Sequence, residues 1–177
     1  MGAGSGYFTA ILAELVGPTG SVTAFEVDAP LAAAAAENLR RWPHVRVEPS
    51  SGVIGATEPA DLIYVSASLQ QPPRAWFDAL APGGRLVFPL TPGADEGGMF
   101  LVRRLTSSTV FDVSFLCRAR FVPCKGAGDE TAYASLRSAF ANGGFEAVRT
   151  LRLDPEVPDE TAWFRGRDWW LSRRPPA

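Results

Sequence analysis

The sequence predicts an α/β fold. Three observations carry that reading: a glycine loop that opens directly into a helix, a strand that follows and ends in an acid, and repeated helix–strand alternation up to position 90. Alternation on this scale calls for parallel strands joined by right-handed crossovers. The chain has 177 residues, 46% of them hydrophobic, which is the apolar content of one domain with its own core.

The elements follow in order. Gly2-Ala3-Gly4-Ser5-Gly6 is the loop, and Tyr7 to Val16 is the first helix, with Phe8, Ile11, Leu12 and Leu15 at three- and four-residue intervals as on one helix face. Gly17-Pro18-Thr19-Gly20 stops it by removing a donor and admitting positive φ. Ser21 to Glu26 reads as a strand. Pro30 suits a first helical turn, and Leu31 to Arg41 is an alanine-rich helix. Val45 to Glu48 alternates like a short strand, and Asp61 to Val65 is an apolar run of the kind buried in a parallel sheet. Pro73 to Leu80 is expected as helix, Ala81-Pro82-Gly83-Gly84 as its closing turn, and Arg85 to Leu90 as strand. After that the pattern changes. Met99 to Leu105 and Val110 to Pro123 alternate like a long antiparallel hairpin. Thr131 to Ala141 reads as helix between an Asp129 cap and Asn142-Gly143-Gly144. Phe145 to Leu153 and Asp168 to Ser172 are the last strand expectations, before a frayed tail.

Composition excludes several function classes. The formal net charge of −2 lacks the basic excess of a generic nucleic-acid binder. No apolar run reaches the length a spanning helix needs, and Met1 runs into glycines without the basic region of a signal peptide. Two cysteines, Cys117 and Cys124, and the single His44 are too few for a disulfide scaffold or a zinc module, so no metal and a reduced, cytoplasmic setting are expected.

The loop carries the chemistry. Glycines let a backbone approach a ligand that a Cβ would hold off. The spacing is G-x-G-x-G, with Tyr7 where a dinucleotide fingerprint wants a small residue and no G-K-[ST] as in a phosphate loop, which counts against NAD and ATP. Glu26, twenty residues after Gly6, stands where a carboxylate can accept both hydroxyls of a ribose.

Loop, helix, strand and acid together resemble a class I S-adenosylmethionine (SAM) methyltransferase. Gly2 to Ala10, Leu80 to Pro89 and Arg120-Phe121-Val122-Pro123 resemble the protein-L-isoaspartate O-methyltransferase family, over positions 2 to 125. The resemblance implies a Rossmann-like sheet, mostly parallel, with an antiparallel C-terminal hairpin and without the usual first strand and N-terminal helices. It implies a single domain over 1–177, with 1–90 holding the cofactor and 91–177 supplying antiparallel strands and a C-terminal extension. Gly2, Ala3, Gly4, Ser5 and Gly6 would cradle the methionine part of SAM, Glu26 would hold the ribose, and Ser51-Gly52 would border the adenine. Tyr7, Thr9, Val27 and Ser66 complete the implied cofactor set. The methyl acceptor would be a carboxylate on a protein or peptide, in the manner of protein repair.

This sequence departs from the family twice. Ser51 stands where the family usually carries an acid, so it accepts from the adenine amino group without charge assistance. The family's segment before the loop is missing, and Met1 stands in place of an aliphatic strand residue. A fragment or misplaced start is the expected cause, the alternative being a partner, including a second copy, that completes the sheet.

No catalytic base is assigned, because a carboxylate acceptor is already a nucleophile and alignment does most of the work. Ser66-Ala67-Ser68 follows a strand at the edge where such folds place their sites, and is read either as lining the acceptor pocket or as a simple turn. No N-P-P-Y or D-P-P-Y motif argues for amino-group methylation. His44 is read as a surface residue, the cysteines as small buried hydrophobes, the acidic stretch Asp154 to Glu160 as a solvated loop, and Trp163, Phe164, Trp169 and Trp170 as packing over the sheet's edge. Two other functions stay open: a class I methyltransferase for a different acceptor, and a non-catalytic module on the same fold.

Overall fold

The helices of the first fifty residues turn small side chains inward. A computed structural model describes residues 1–55, 58–93, 97–106, 109–125, 130–154 and 157–176. They form two compact units, Met1–Ala56 and Thr57–Ala177. The Asp129 cap and residues Pro155 and Glu156 lie outside the described residues.

In the first unit, α1 (Tyr7–Val16) leads to β1 (Val22–Phe25), α2 (Ala29–Leu39), β2 (Val45–Glu48) and the short α3 (Gly52–Gly55). β1 and β2 pair in parallel, Val22 opposite Val45 and Phe25 opposite Glu48. α2 starts where local chemistry says it should: the Asp28 carboxylate accepts from the Leu31 N–H at 3.1 Å, and Pro30 sits in the first turn.

The apolar periodicity of α1 does not mark its buried side. Phe8, Ile11 and Leu15 are exposed, and the buried positions are Thr9 and Ala13. Small residues let α1 lie close to its strand. The unit's core is accordingly made of Ala13, Ala24, Ala32, Ala35 and Leu39.

The second unit is built on a seven-stranded sheet. Its strands are β3 (Ala60–Tyr64), β4 (Leu80–Leu90), β5 (Gly98–Arg104), β6 (Val110–Arg118), β7 (Thr150–Arg152), β8 (Ala162–Arg165) and β9 (Trp170–Ser172). The sheet order is β3-β4-β5-β6-β7-β9-β8. β3 and β4 pair in parallel, and every later pair is antiparallel. The α/β reading holds, with parallel strand pairs limited to β1–β2 and β3–β4 among the described residues and antiparallel pairing reaching beyond one hairpin. For β4–β5, β5–β6 and β8–β9 the reason is connection length, since a short link can only return the chain antiparallel; β6 and β7 are antiparallel across a longer link that holds a helix. Among the described residues β1 pairs only with β2, and β3 only with β4.

Several element bounds shift. The helix expected over Pro73 to Leu80 is α4, Arg74–Asp78. β4 already begins at Leu80, and the Pro-Gly-Gly stretch forms an irregularity in it: Ala60 faces Leu80, but Leu62 faces Arg85. Gly83 there has φ 76°, which a residue with a Cβ adopts only under strain. β6 ends at Arg118, short of Pro123. The C-terminal helix α5 covers Glu130–Ala141. The strand expected over Phe145 to Leu153 divides into a 3₁₀ turn, Phe145–Ala147, and β7. The edge strand β8 was not expected at all.

The core of this unit is aromatic. Trp76, Phe77, Phe88, Phe100, Phe111 and Phe145 are all fully buried, and Phe140, Phe145 and Trp163 pack ring against ring. Trp163, Phe164, Trp169 and Trp170 are buried at the β8 edge, as their packing role required. Asp154 is no solvated acid: Arg152 donates to it at 2.8 and 3.0 Å, with both side chains about nine-tenths buried. Cys117 is exposed rather than buried, on β6 beyond the register shift at Met99/Phe100. His44 is half-buried, its Nε2 3.1 Å from the Ala13 carbonyl oxygen.

Gly6→Ala tests the packing of the first unit. Gly6 has φ 95°, and a Cβ there would meet Leu39 at 3.0 Å. The left-handed conformation alone costs a side-chain-bearing residue about 1–2 kcal/mol. The expected result is a lower urea midpoint at unchanged m-value; an unchanged midpoint would contradict this geometry.

Candidate functional site

The residues of interest gather at the end of β1, in the first unit. Gly2 and Ala3 both donate their backbone N–H to the Phe25 carbonyl oxygen, at 2.9 and 3.0 Å. One oxygen of the last strand residue thus anchors the start of the loop. Gly2, Gly4 and Gly6 have φ of 70°, 56° and 95°, so the G-x-G-x-G spacing places a left-handed residue at every second position. The space a Cβ at Gly4 would take is empty to 4 Å, leaving its bare backbone facing an open volume.

Glu26 follows directly after β1 and is 8% exposed. Its carboxylate accepts from the Gly4 N–H at 2.8 Å and from the Asp28 N–H at 3.0 Å, one bond to each oxygen. Each carboxylate oxygen can accept a second bond, so the group can tie down the loop and still receive two hydroxyls. The loop is held from its other side by α2. The Asn38 side-chain amide donates to the Ser5 carbonyl oxygen at 2.9 Å, and Gly6 packs on Leu39. Sequence reasoning missed Asn38, since a polar residue on a helix carries no local sign of a partner 33 residues away.

The other expected positions are spread around this centre. Ser5 and Tyr7 are exposed, Tyr7 at 69%, whereas Thr9 is buried on the inner side of α1. Val27 is exposed beside Glu26. Ser51 is half-buried and its Oγ accepts from the Val53 N–H at 3.3 Å. Gly52 is overlaid by the Met1 thioether, which would stand 2.0 Å from a Cβ there. A side chain at Gly52 would require Met1 to shift, and Met1 covers the face read as bordering the adenine.

Ser66 belongs to the second unit, just past β3. Its hydroxyl hydrogen-bonds the Tyr64 phenol; burial raises the Tyr64 pKa above its ordinary value, and the Ser66 bond partly offsets that rise. Burial likewise raises the Cys124 thiol, which makes it a poor nucleophile. Ser68 is buried, and its backbone pairs with Val122 and Cys124 in a parallel bridge to Pro123, so this stretch is tied to the R-F-V-P segment rather than forming a simple turn. Among the described residues no group of three His, Cys, Asp or Glu side chains is arranged to hold a metal ion, and no helix is long and apolar enough to cross a membrane.

Comparison with known proteins decides the family. The model of the protein-L-isoaspartate(D-aspartate) O-methyltransferase family matches residues 1–128. The chain belongs to this methyltransferase family. A protein-L-isoaspartate O-methyltransferase of Rhodopseudomonas palustris (strain ATCC BAA-98 / CGA009) is 42% identical over 133 residues, covering 72% of this chain and 58% of the relative. One of Azoarcus sp. (strain BH72) is 39% identical over 127 residues, covering 70% and 55%. The chain spans about half the length of the curated relatives it matches. A solved protein-L-isoaspartate O-methyltransferase superposes with a TM-score of 0.65 at 25% identity, over 72% of this chain and 41% of that one. A Plasmodium falciparum homologue, solved with S-adenosyl-L-homocysteine, superposes with a TM-score of 0.59 at 21% identity, over 70% and 63%, a likeness of fold.

Glu26→Ala leaves the Gly4 and Asp28 N–H groups without their charged acceptor. Hydrogen bonds to charged groups contribute about 1.5–3 kcal/mol each, so the fall in unfolding free energy is expected at about 2–4 kcal/mol. Urea denaturation checks it; a loss within experimental error would show that the loop does not depend on this carboxylate.

Proposed function

We propose that this chain is a SAM-dependent O-methyltransferase of the isoaspartyl type, which transfers a methyl group to a carboxylate of a damaged protein or peptide. The observation that carries the reading is the glycine loop closed onto the buried Glu26 carboxylate, in a chain that belongs to this family. The residues fit the cofactor on two counts. Gly4 exposes bare backbone to open space, as a close-lying ligand requires. Glu26 keeps spare acceptor capacity for a vicinal diol, at a carboxylate already ordered by two N–H donors.

When bound, SAM supplies an electrophilic methyl group on a sulfonium. The protein binds and orients. Glu26 receives the ribose hydroxyls, the Gly2–Gly6 backbone follows the methionine portion, and Val27, Ser51 and Gly52 lie on the adenine side, where Met1 must give way. Tyr7 and Thr9 complete the proposed set within this unit. A carboxylate acceptor needs no proton removed, so the chain's remaining contribution is alignment and exclusion of water. This reading treats 1–177 as one methyltransferase domain working in the cytoplasm, with no nucleic-acid or membrane partner. It gives a second copy the task of pairing the open edges of β1 and β3 wherever no other strand does so.

Two measurements separate this reading from its rivals. Labelled SAM with an isoaspartyl peptide is expected to give carboxyl methylation, and the matching aspartyl peptide none. Equal labelling of both would point to another acceptor. Glu26→Gln is expected to weaken S-adenosylhomocysteine binding by about 2 kcal/mol, roughly thirty-fold, because a charged acceptor for two hydroxyls is lost. If the unsubstituted chain gives neither calorimetric heat nor a thermal shift with S-adenosylhomocysteine, the non-catalytic module is the better account.

A further inference from the structure

The glycine loop of the first unit is fixed one peptide plane at a time. In the Ala3–Gly4 plane, the Ala3 carbonyl oxygen accepts from the Gly6 N–H at 2.9 Å, and the Gly4 N–H donates to the Glu26 carboxylate at 2.8 Å. In the Ser5–Gly6 plane, the Gly6 N–H is that same donor, and the Ser5 carbonyl oxygen accepts from the Asn38 side-chain amide at 2.9 Å. The Gly4–Ser5 plane lies between these two. Among the described residues neither its carbonyl oxygen nor its N–H makes a hydrogen bond, and the space beside Gly4 is empty to 4 Å. It is the plane left for a ligand.

A plane flanked by glycine turns over at little cost, because no Cβ bars the alternative φ. Gly4 and Gly6, with φ of 56° and 95°, stand on either side of Ser5. The covalent chain therefore leaves the direction of the Ser5 carbonyl open, and its hydrogen-bond partner decides it. That partner comes from the last turn of α2, where Leu39 also packs 3.0 Å from the position of a Gly6 Cβ. α2 is itself set off from Glu26, whose second oxygen accepts from the Asp28 N–H at 3.0 Å. The contacts close a ring from Glu26 through Asp28, α2 and Asn38 to Ser5, and back through Gly4 to Glu26.

We propose that Asn38 is a positioning residue for cofactor binding: it holds the Ser5–Gly6 plane, so that the Gly4–Ser5 plane already faces the open volume before the ligand arrives. A loop ordered in advance spares the ligand the cost of ordering it. Asn38 is exposed, so its removal strands no buried group, and alanine is the better helix former at this position. Its loss is therefore felt in the freedom of the loop and not in the stability of α2. The proposal rests on the methyl-transfer reading for the identity of the ligand, but not for the ordering of the loop.

The test compares the full chain with Asn38→Ala and Asn38→Asp by urea denaturation, by NMR amide exchange at Gly4 and Gly6, and by calorimetry with S-adenosylhomocysteine. For Asn38→Ala the expected result is an unchanged urea midpoint, faster exchange at both glycines and binding weakened about three- to ten-fold, the worth of one net hydrogen bond. Asn38→Asp loses more affinity, because it sets a carboxylate against the Ser5 carbonyl. Equal affinity of Asn38→Ala and the unsubstituted chain would overturn the proposal. So would a lowered urea midpoint with unchanged exchange at Gly4, the mark of a residue that serves only the helix. If the unsubstituted chain does not bind S-adenosylhomocysteine, the methyl-transfer reading fails, and exchange alone decides the role of Asn38: faster exchange at Gly4 in Asn38→Ala sustains it, and unchanged exchange ends it.

Discussion

One carboxylate organises the first fifty residues. Glu26 sits at the end of a four-residue strand, is nearly buried, and accepts one backbone N–H on each oxygen. A charge so placed is tolerable only when it is hydrogen-bonded, and the donors nearest to it belong to the glycine loop and to the chain entering α2. The same atoms therefore settle two matters at once. The loop is drawn onto the strand end, and α2 is set off in its direction, with the Asp28 cap completing the turn. Glycine is required because the loop must take left-handed conformations at positions 2, 4 and 6 to deliver the Gly4 N–H to that carboxylate.

The two units solve burial differently. The first packs alanines and one leucine beneath short helices, so it encloses little apolar surface and relies on backbone hydrogen bonds such as those from Gly2 and Ala3 to Phe25. The second interleaves phenylalanines and tryptophans over a seven-stranded sheet. A buried ion pair, Arg152 with Asp154, sits at its C-terminal end, where loss of either partner would strand a charge away from water. The unit holding the proposed cofactor loop is shaped by glycine and polar contacts, and the second unit by its large aromatic core.

What was legible in the sequence was local chemistry. The glycine spacing, the acid after the next strand, the Pro30 turn and the stop at Gly17 each act through neighbouring backbone, and each appears where expected. The family resemblance rests on the glycine loop together with Leu80 to Pro89 and Arg120 to Pro123. What was not legible depended on tertiary choice. The periodicity of Phe8, Ile11 and Leu15 marks a helix face without saying that Thr9 and Ala13 would win the inward position, because close approach to a strand favours small side chains over large ones. Trp163 and Phe164 read as aromatic packing without marking the strand Ala162–Arg165, since four residues give too little alternation to register. Asp154 looked like one acid among several in a proline-punctuated loop; only the fold brings Arg152 onto it.

The account rests on where the ribose goes. A crystal of this chain grown or soaked with S-adenosylhomocysteine reads that out directly. The account predicts electron density along the backbone of Gly2 to Gly6, with both ribose hydroxyls within hydrogen-bond distance of the Glu26 carboxylate and the Met1 side chain displaced from over Gly52. Density for the nucleoside elsewhere on the protein, or a ribose that makes no contact with Glu26, would contradict it.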